Sequence, residues 1–476
     1  MNELLIVGGT VVTMNKSREI LFDADVYIRN DKIVSIETGG NLSPHALKEN
    51  IIDAHGKIVL PGLINAHTHA DCIMARGGIS QDQSLFDWLV HITDPIRQAY
   101  TEEDLHVAIE LYCHEAIRSG ITYIVDLVGF VEEWRHAAVL DTYERMGLRV
   151  AYAPMFMDQV PKNNQEVFDS STKAGSAMPP VETTAEIMKR VQLFLDHEHM
   201  RANGRIKIWI TPRLGRATTP EGLRKSVELA RAYSTRTTTH CAETRIESLG
   251  SEISTVEYLD RAGYLSDCTV LAHCVWVNDQ DIQRLAQTGT KVAHCPSTNL
   301  FLGSGIAPIA KMMDAGIQIA LGTDNANANN LVSMWTEMRN AALLQKGVCE
   351  SASAVTSEEA LEMATIQGAR VIGEESNLGS IEVGKQADII ILDKNHTHMV
   401  PMHHIPATLV YQSLGMEVSS TIVGGKVLMQ NRELICCSPE KEKEFLAYAQ
   451  KKSEEIIHRA KLDPKRSQSW VSRIVL

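Results

Sequence analysis

The chain has 476 residues and a formal net charge of −13, from 46 Lys and Arg against 59 Asp and Glu. That balance excludes a partner recognised through a phosphate backbone or an anionic membrane surface, since both demand a basic footprint. Hydrophobic residues at 44% and charged residues at 22% fit a soluble globular protein with a large core, built as about three domains or as one large barrel with additions.

The first segment reads as β structure. Leu4–Val7, Thr10–Met14, Ala24–Arg29 and Lys32–Ile36 are short β-rich runs, with Gly8-Gly9 and Asn30-Asp31 placed as hairpin turns. Ile51–Asp53 and Lys57–Leu60 continue the pattern up to Pro61-Gly62. The chain then alternates between short apolar runs and longer helical patterns. Eight runs read as strands: Gly62–His67, Thr122–Leu127, Arg149–Met155, Ile206–Thr211, Thr237–Cys241, Thr269–Cys274, Lys291–Cys295 and Gln318–Gly322. Most are nearly continuous in Val, Ile, Leu and Ala, as strands covered on both faces are. Glu102–Arg118, Thr184–Met200, Pro220–Tyr233 and Asp279–Gln287 read as helices between them. Eight β-then-α units predict a parallel (β/α)₈ barrel rather than a doubly wound sheet, because no G-x-G-x-x-G follows an early strand. Asn163–Val181 reads as a long loop of the kind that forms lids.

Thr356–Arg370 reads as one more helix, after which Gly379–Ile381, Ala387–Leu392, Leu409–Tyr411, Ser420–Val423 and Lys426–Leu428 read as strands. Both ends therefore share a style that the middle lacks. The expected organisation is a discontinuous β-sandwich from residues 1–60 and 375–476 around a barrel spanning 61–374. The charged tail Pro439–Ala460 reads as a solvated surface helix. Nine scattered cysteines without a C-x-x-C predict reduced thiols. With no signal-peptide pattern after Met1 and no apolar run of about 18 residues, a cytoplasmic location is expected.

The chemistry concentrates at strand ends. His67 and His69 close the first barrel strand at an i, i+2 spacing, which puts both imidazoles on one face. His240 ends the fifth strand, His273 the sixth, and Asp324 follows the eighth. Each taken singly is an ordinary polar strand end. Jointly, four His and one Asp converge on the C-terminal mouth, where barrel enzymes place their sites. His67, His69, His240 and Asp324 can hold a single Zn²⁺ or Fe²⁺ and leave a position for water. The cation would lower that water's pKa from 15.7 towards roughly 7, with Asp324 accepting its proton. Glu243, three residues past His240, is placed to move a proton to a substrate ring or leaving group, and His273 to hydrogen-bond the water or the substrate.

The segment Pro61-Gly62-Leu63-Ile64-Asn65-Ala66-His67-Thr68-His69, with His240, His273 and Asp324, resembles the signature of the amidohydrolase superfamily. Gly379-Ser380-Ile381-Glu382-Val383-Gly384-Lys385-Gln386-Ala387-Asp388 resembles its return to the small β domain. The resemblance implies a metal-dependent hydrolase, usually dimeric or larger, acting on a small molecule. The binuclear members' Lys at the fourth strand's end is missing from Ile208-Trp209-Ile210-Thr211-Pro212-Arg213, which implies one metal. His240-x-x-Glu243 and His294-Cys295-Pro296-Ser297-Thr298-Asn299 resemble the aminohydrolase and chlorohydrolase branch of guanine, S-adenosylhomocysteine and melamine deaminases and atrazine chlorohydrolase. The implied activity is hydrolytic removal of an exocyclic amino group from a nitrogen heterocycle of s-triazine, pyrimidine, purine or pterin type. Hydrolytic dechlorination or dealkylamination of s-triazines is the alternative. Trp88, Arg213, Asn299, Phe301 and Asn325 are the expected substrate contacts, with Met155 and Phe156 as further wall residues. Phe301 stands where adenosine-type deaminases carry Lys, which speaks against a nucleoside, and Asn325 resembles the dechlorinating enzyme. A ligand-poor scaffold is disfavoured because no metal residue is missing, and cyclic-imide opening because the bridging Lys is.

Overall fold

The computed structural model describes residues 3–39, 50–77, 82–130, 132–160 and 182–462; the expected lid at Asn163–Val181 lies outside them. Eight parallel strand positions close a barrel. The first is Leu63–His69, followed by Ile121–Val128, Arg149–Phe156, Ile206–Ile208 extended by Thr211–Pro212, Thr237–Cys241, Thr269–His273, Lys291–His294 and Ile319–Leu321. Every residue of Ile121–Val128 is buried, as expected of a strand with barrel core on one side and helices on the other. Isolated bridges Ile210 to Thr237 and Leu214 to His240 join the fourth and fifth strands. Asp324-Asn325 pairs with Thr68-His69 and closes the ring.

The helices begin and end where local chemistry dictates. Glu102–Ser119 starts at a capping box between Thr101 and Asp104 and stops at Gly120, whose φ of 84° suits only a residue free to turn left-handed. Between strand one and that helix, Leu85–Trp88, Leu89–Thr93 and Asp94–Ala99 form a continuous helical excursion with a π turn in its middle.

Both termini build one nine-stranded mixed sheet. Its order runs Glu433–Leu434, Lys426–Gln430, Val418–Val423, Ile389–Asp393, Lys57–Pro61, Glu3–Val12, Ile20–Arg29 and Lys32–Thr38, with Ile51–Asp53 beside Glu3–Val12. The seam is antiparallel, with Ile390 opposite Leu60. Ile6, Val26, Ile28, Ile389, Ile391 and Ile422 form a core of their own. Arg149 of the third barrel strand reaches across to Asp388, at 2.8 and 3.1 Å, and that carboxylate also accepts the Gly424 N–H.

Several expectations need correction. Gly8-Gly9 is a bulge inside one continuous strand, not a hairpin turn: a side chain at Gly8 would run into His55, and Gly8 N–H donates to Asp25. Leu409–Tyr411 belongs to the helix Ile405–Tyr411, which His404 caps and Pro406 opens. Gly379–Ile381 is not a strand but is laced to the N-terminal segment by single bonds such as Ile381 N–H to Thr13 O at 2.7 Å. The helix expected over Thr356–Arg370 is two, Ser357–Met363 and Ile366–Ile372. The break lets the Ala364 carbonyl accept from Ile64 on the first barrel strand. The tail helix Pro439–Arg459 is no free surface helix. It buries Ala449, Ile456 and Ile457, and Ser453 bonds the Met74 carbonyl just beyond His69.

Candidate metal centre and pocket

The first strand delivers His67 and His69 inward together, and the fifth and sixth deliver His240 and His273 beside them. Ring centroids lie 5.0 Å apart for His67 and His240, 5.1 Å for His67 and His69, and 5.3 Å for His67 and His273. The Nε2 atoms of His69 and His240 are 3.2 Å apart, too close to be stable as two protonated cations. Asp324 Oδ1 sits 3.3 Å from His67 Nε2 and 3.4 Å from His69 Nε2. All these side chains are buried.

The tautomers are set from behind. His69 Nδ1–H donates to Leu127 O and His240 Nδ1–H to Arg213 O, both at 2.6 Å, so each ring turns a bare Nε2 inward. Burial lowers the pKa of His69 to about 3 and pushes His240 well below the ordinary range, which keeps both neutral. Burial works against ionisation of Asp324 too, but the imidazoles of His67, His273 and His69 around it hold it far below the carboxylate range. His67, His69 and His240 gather three neutral imidazoles, with the Asp324 carboxylate beside His67 and His69 and with His67 Nε2 lacking a hydrogen-bond partner among the described residues, and together they make the donor set of a divalent cation site.

Glu243 and His273 stand next to this cluster. Glu243 Oε2 is 3.6 Å from His273 Nε2, and Ser304 Oγ is 3.5 Å from Glu243 Oε1. Burial raises the Glu243 carboxyl to about 7, with His273 partly opposing. Burial alone would lower His273, but the Glu243 carboxylate and then Asp324 overcome it and raise it. His273 Nδ1–H donates to Asn299 Oδ1 at 2.9 Å. Three strand-end residues, Ala242, His273 and Asp324, have φ of 51°, 74° and 55°. That left-handed backbone costs a non-glycine residue about 1–3 kcal/mol, and here it turns the functional side chains into the mouth.

A pocket open to solvent lies over the cluster. His69, His240, Glu243, His273 and Asp324 form its floor, and Leu85, Phe86, Trp88, Val90, Met155 and Met157 supply apolar walls. Trp88 and Asn325 line it as expected, Trp88 at 1% exposure and with its Nε1–H unpartnered among the described residues. Arg213 lines it as well, but its guanidinium is 3.6 Å from Asp94 and its carbonyl serves His240. Three expected contacts are not among the residues lining the pocket. Asn299 lies outside the lining and accepts the His273 Nδ1–H. Phe301 is 36% exposed on the helix Pro296–Phe301, outside the lining. Phe156 packs in the core while Met157 lines the pocket, since neighbouring side chains point opposite ways along an extended segment.

Some contributors escaped sequence reading. Glu247 accepts three backbone N–H groups, from Ala242, Glu243 and Thr244 at 2.8, 2.6 and 3.2 Å, and so holds the turn that carries Glu243. Its signal was present as the Thr244-x-x-Glu247 capping box. Asp71 and Arg97 form a buried pair at 2.7 Å beside His69, and Arg97 and Asp94 reach the pocket; nothing local in the sequence marks them.

The comparisons agree with this arrangement. The model of the amidohydrolase family matches residues 58–428. A 5'-deoxyadenosine deaminase of Methanosarcina mazei is 33% identical over 96% of this chain and 99% of its own length. A 5-methylthioadenosine/S-adenosylhomocysteine deaminase of Thermoanaerobacter pseudethanolicus is 32% identical over 92% of this chain and 96% of its own. Among solved structures, a zinc-bound adenosine deaminase of Xanthomonas campestris superposes with a TM-score of 0.84 at 26% identity, over 96% of this chain and 98% of its own. The zinc complex of an atrazine chlorohydrolase of Arthrobacter aurescens reaches the same TM-score at 23% identity, over 94% and 100%. The expected likeness to the triazine enzymes thus holds for the fold. The relatives that match at a third of positions along the whole chain are nucleoside deaminases. With the family model covering most of its length and the expected barrel in place, the chain belongs to the amidohydrolase family.

Proposed function

We propose that the chain is a hydrolytic deaminase of 6-aminopurine nucleosides of the 5'-deoxyadenosine type, with zinc as its metal. The reaction class is hydrolysis of a carbon–nitrogen bond in a cyclic amidine. The observation that carries the reading is the placement of Glu243, paired with His273 at 3.6 Å, in the same pocket as the histidine cluster. The relatives' activities suggest the substrate class, and the zinc-bound neighbour supports the choice of metal.

His67, His69 and His240 would hold the ion through Nε2, with Asp324 as the acidic fourth ligand. When bound, a divalent cation lowers the pKa of a coordinated water and so furnishes a nucleophile near neutral pH. The protein's own groups do the rest. Glu243, whose carboxyl burial raises to about 7, takes one proton of the attacking water at Oε2 and delivers it to the ring nitrogen, while the water's other proton leaves with the amine as ammonia. Ammonia leaves an aromatic ring only once protonated, so this carboxyl is indispensable to deamination. His273, steered by Asn299, keeps Nε2 free of a hydrogen bond among the described residues and 3.6 Å from Glu243, ready to donate to the oxygen entering at the ring carbon. Trp88, Met155 and Met157 pack against the flat ring and exclude water. Asn325 and the Asp94–Arg213 pair supply the polar contacts of the pocket.

The test is ammonia release from 5'-deoxyadenosine and 5-methylthioadenosine by zinc-loaded protein. Treatment with a chelator should abolish it and one equivalent of Zn²⁺ should restore it. Chloride release from atrazine with no ammonia from either nucleoside would overturn the reading.

A further inference from the structure

A second cluster of metal-ligand side chains lies apart from the pocket, where the C-terminal segment meets the outer barrel helix Glu102–Ser119. Cys436 and Cys437 follow the last sheet strand and precede Ser438, the cap of the helix Pro439–Arg459. Their sulfurs are 3.9 Å apart, and Cys436 Sγ is 3.7 Å from His114 Nε2. No disulfide joins them. The imidazole is buried, and its Nδ1 has no partner among the described residues. One turn earlier, Glu110 Oε1 lies 3.8 Å from the same Nε2, while Arg145 holds the other oxygen at 2.8 Å.

We propose that Cys436, Cys437 and His114, with Glu110 as fourth ligand, form a structural site for a borderline-soft divalent cation of the Zn²⁺ class. Zinc bonds of about 2.3 Å to sulfur and 2.0–2.1 Å to nitrogen in a tetrahedron separate neighbouring ligand atoms by roughly 3.5–3.8 Å. The Cys436–Cys437 and Cys436–His114 separations of 3.9 and 3.7 Å are within a few tenths of an ångström of these values. Two thiolates and an imidazole select such a cation over Mg²⁺ or Ca²⁺, which prefer oxygen. Binding converts two thiols to thiolates and releases two protons, which sets the charge of the cation against both sulfurs. The ion would pin the root of the C-terminal helix to the barrel. That helix then holds the Ala70–Ala75 turn behind His69 through Ser453.

The experiment uses the full chain. Cobalt(II) loading of the wild type should give a thiolate-to-cobalt charge-transfer absorption that Cys436→Ser/Cys437→Ser lacks. The catalytic cluster contains no thiol ligand, so this band reports the second site alone, whatever the enzyme's substrate. Zinc content after equilibration and desalting should fall by one equivalent per chain in the double variant, with the pocket metal and turnover retained. A wild type without the charge-transfer band, or equal zinc content in wild type and a folded double variant, would overturn the proposal.

Discussion

At the residue scale the decisive group is Glu243. Its carboxyl is raised to about 7 by burial, while the cation expected nearby favours the carboxylate. The rate should therefore fall as pH drops through and below about 7, because the proton acceptor is then already protonated. Glu243→Gln should lower kcat about 10²- to 10⁴-fold and flatten that acid limb, with metal content unchanged. Steady-state rates across pH check both, and near-wild-type ammonia release by the variant would refute the role. The Asp71–Arg97 pair makes a different point. Neither side chain was flagged in advance, yet Asp71→Asn leaves a buried guanidinium without its carboxylate. The loss should be about 3–5 kcal/mol, read from the shift in the urea midpoint. The histidines, Asp324 and Glu243 were legible because they are rare residue types on apolar strand ends. Asp71, Arg97 and Asp94 were not, since buried acid–base pairs look like surface charges until three dimensions bring them together, and Glu247 showed only as a capping box.

At the element scale, strand ends carry the site and strand contacts tune it. Gly322, after the eighth strand, donates its N–H to His294 O, and a Cβ there would lie 2.8 Å from both the Cβ and the carbonyl oxygen of His67. Only glycine lets the eighth strand approach the first this closely. Gly322→Ala should cost about 1–3 kcal/mol through overpacking and loosen the metal by displacing His67. Thermal melting together with chelator competition tests this, and an unshifted melting temperature with unchanged zinc retention would contradict it. Strand existence was readable from apolar runs, but ends and breaks were not. The helix break at Ala364-Thr365 exists because the first strand needs a carbonyl partner, and the helix Ile405–Tyr411 prevails over its apolar tripeptide because His404 and Pro406 start it.

At the scale of the whole molecule, two units share one seam. We read residues 1–60 with 375–476 as one β unit and 61–374 as the barrel, joined through Lys57–Pro61 and the Arg149–Asp388 pair. Among the described residues no helix is long and apolar enough to cross a membrane. Buried histidines away from the metal shape the stability. Burial lowers both His136 and His294 to about 3, against an ordinary value near 6.5. Above about pH 6.5 both are neutral whether the chain is folded or not, and stability does not depend on them. Between 6.5 and 3 only the unfolded chain takes up their protons. Stability therefore falls with acidification by up to about 1.4 kcal/mol per pH unit for each histidine. Urea midpoints from pH 7 to pH 5 should slope less steeply for His136→Gln than for wild type at equal metal loading, and parallel slopes would contradict this account.

By itself the sequence determined the barrel, the β unit made from both ends and the polar strand ends that form the buried cluster, because periodicity and rare residue types are local properties. Only the tertiary structure decided that Asn299 is bonded to His273 outside the pocket lining, that Phe301 lies exposed outside it, and that the tail helix and the Cys436–Cys437 pair dock on the barrel. Those outcomes depend on which distant surfaces touch, and an amino-acid pattern encodes contacts between distant elements only through the fold they complete.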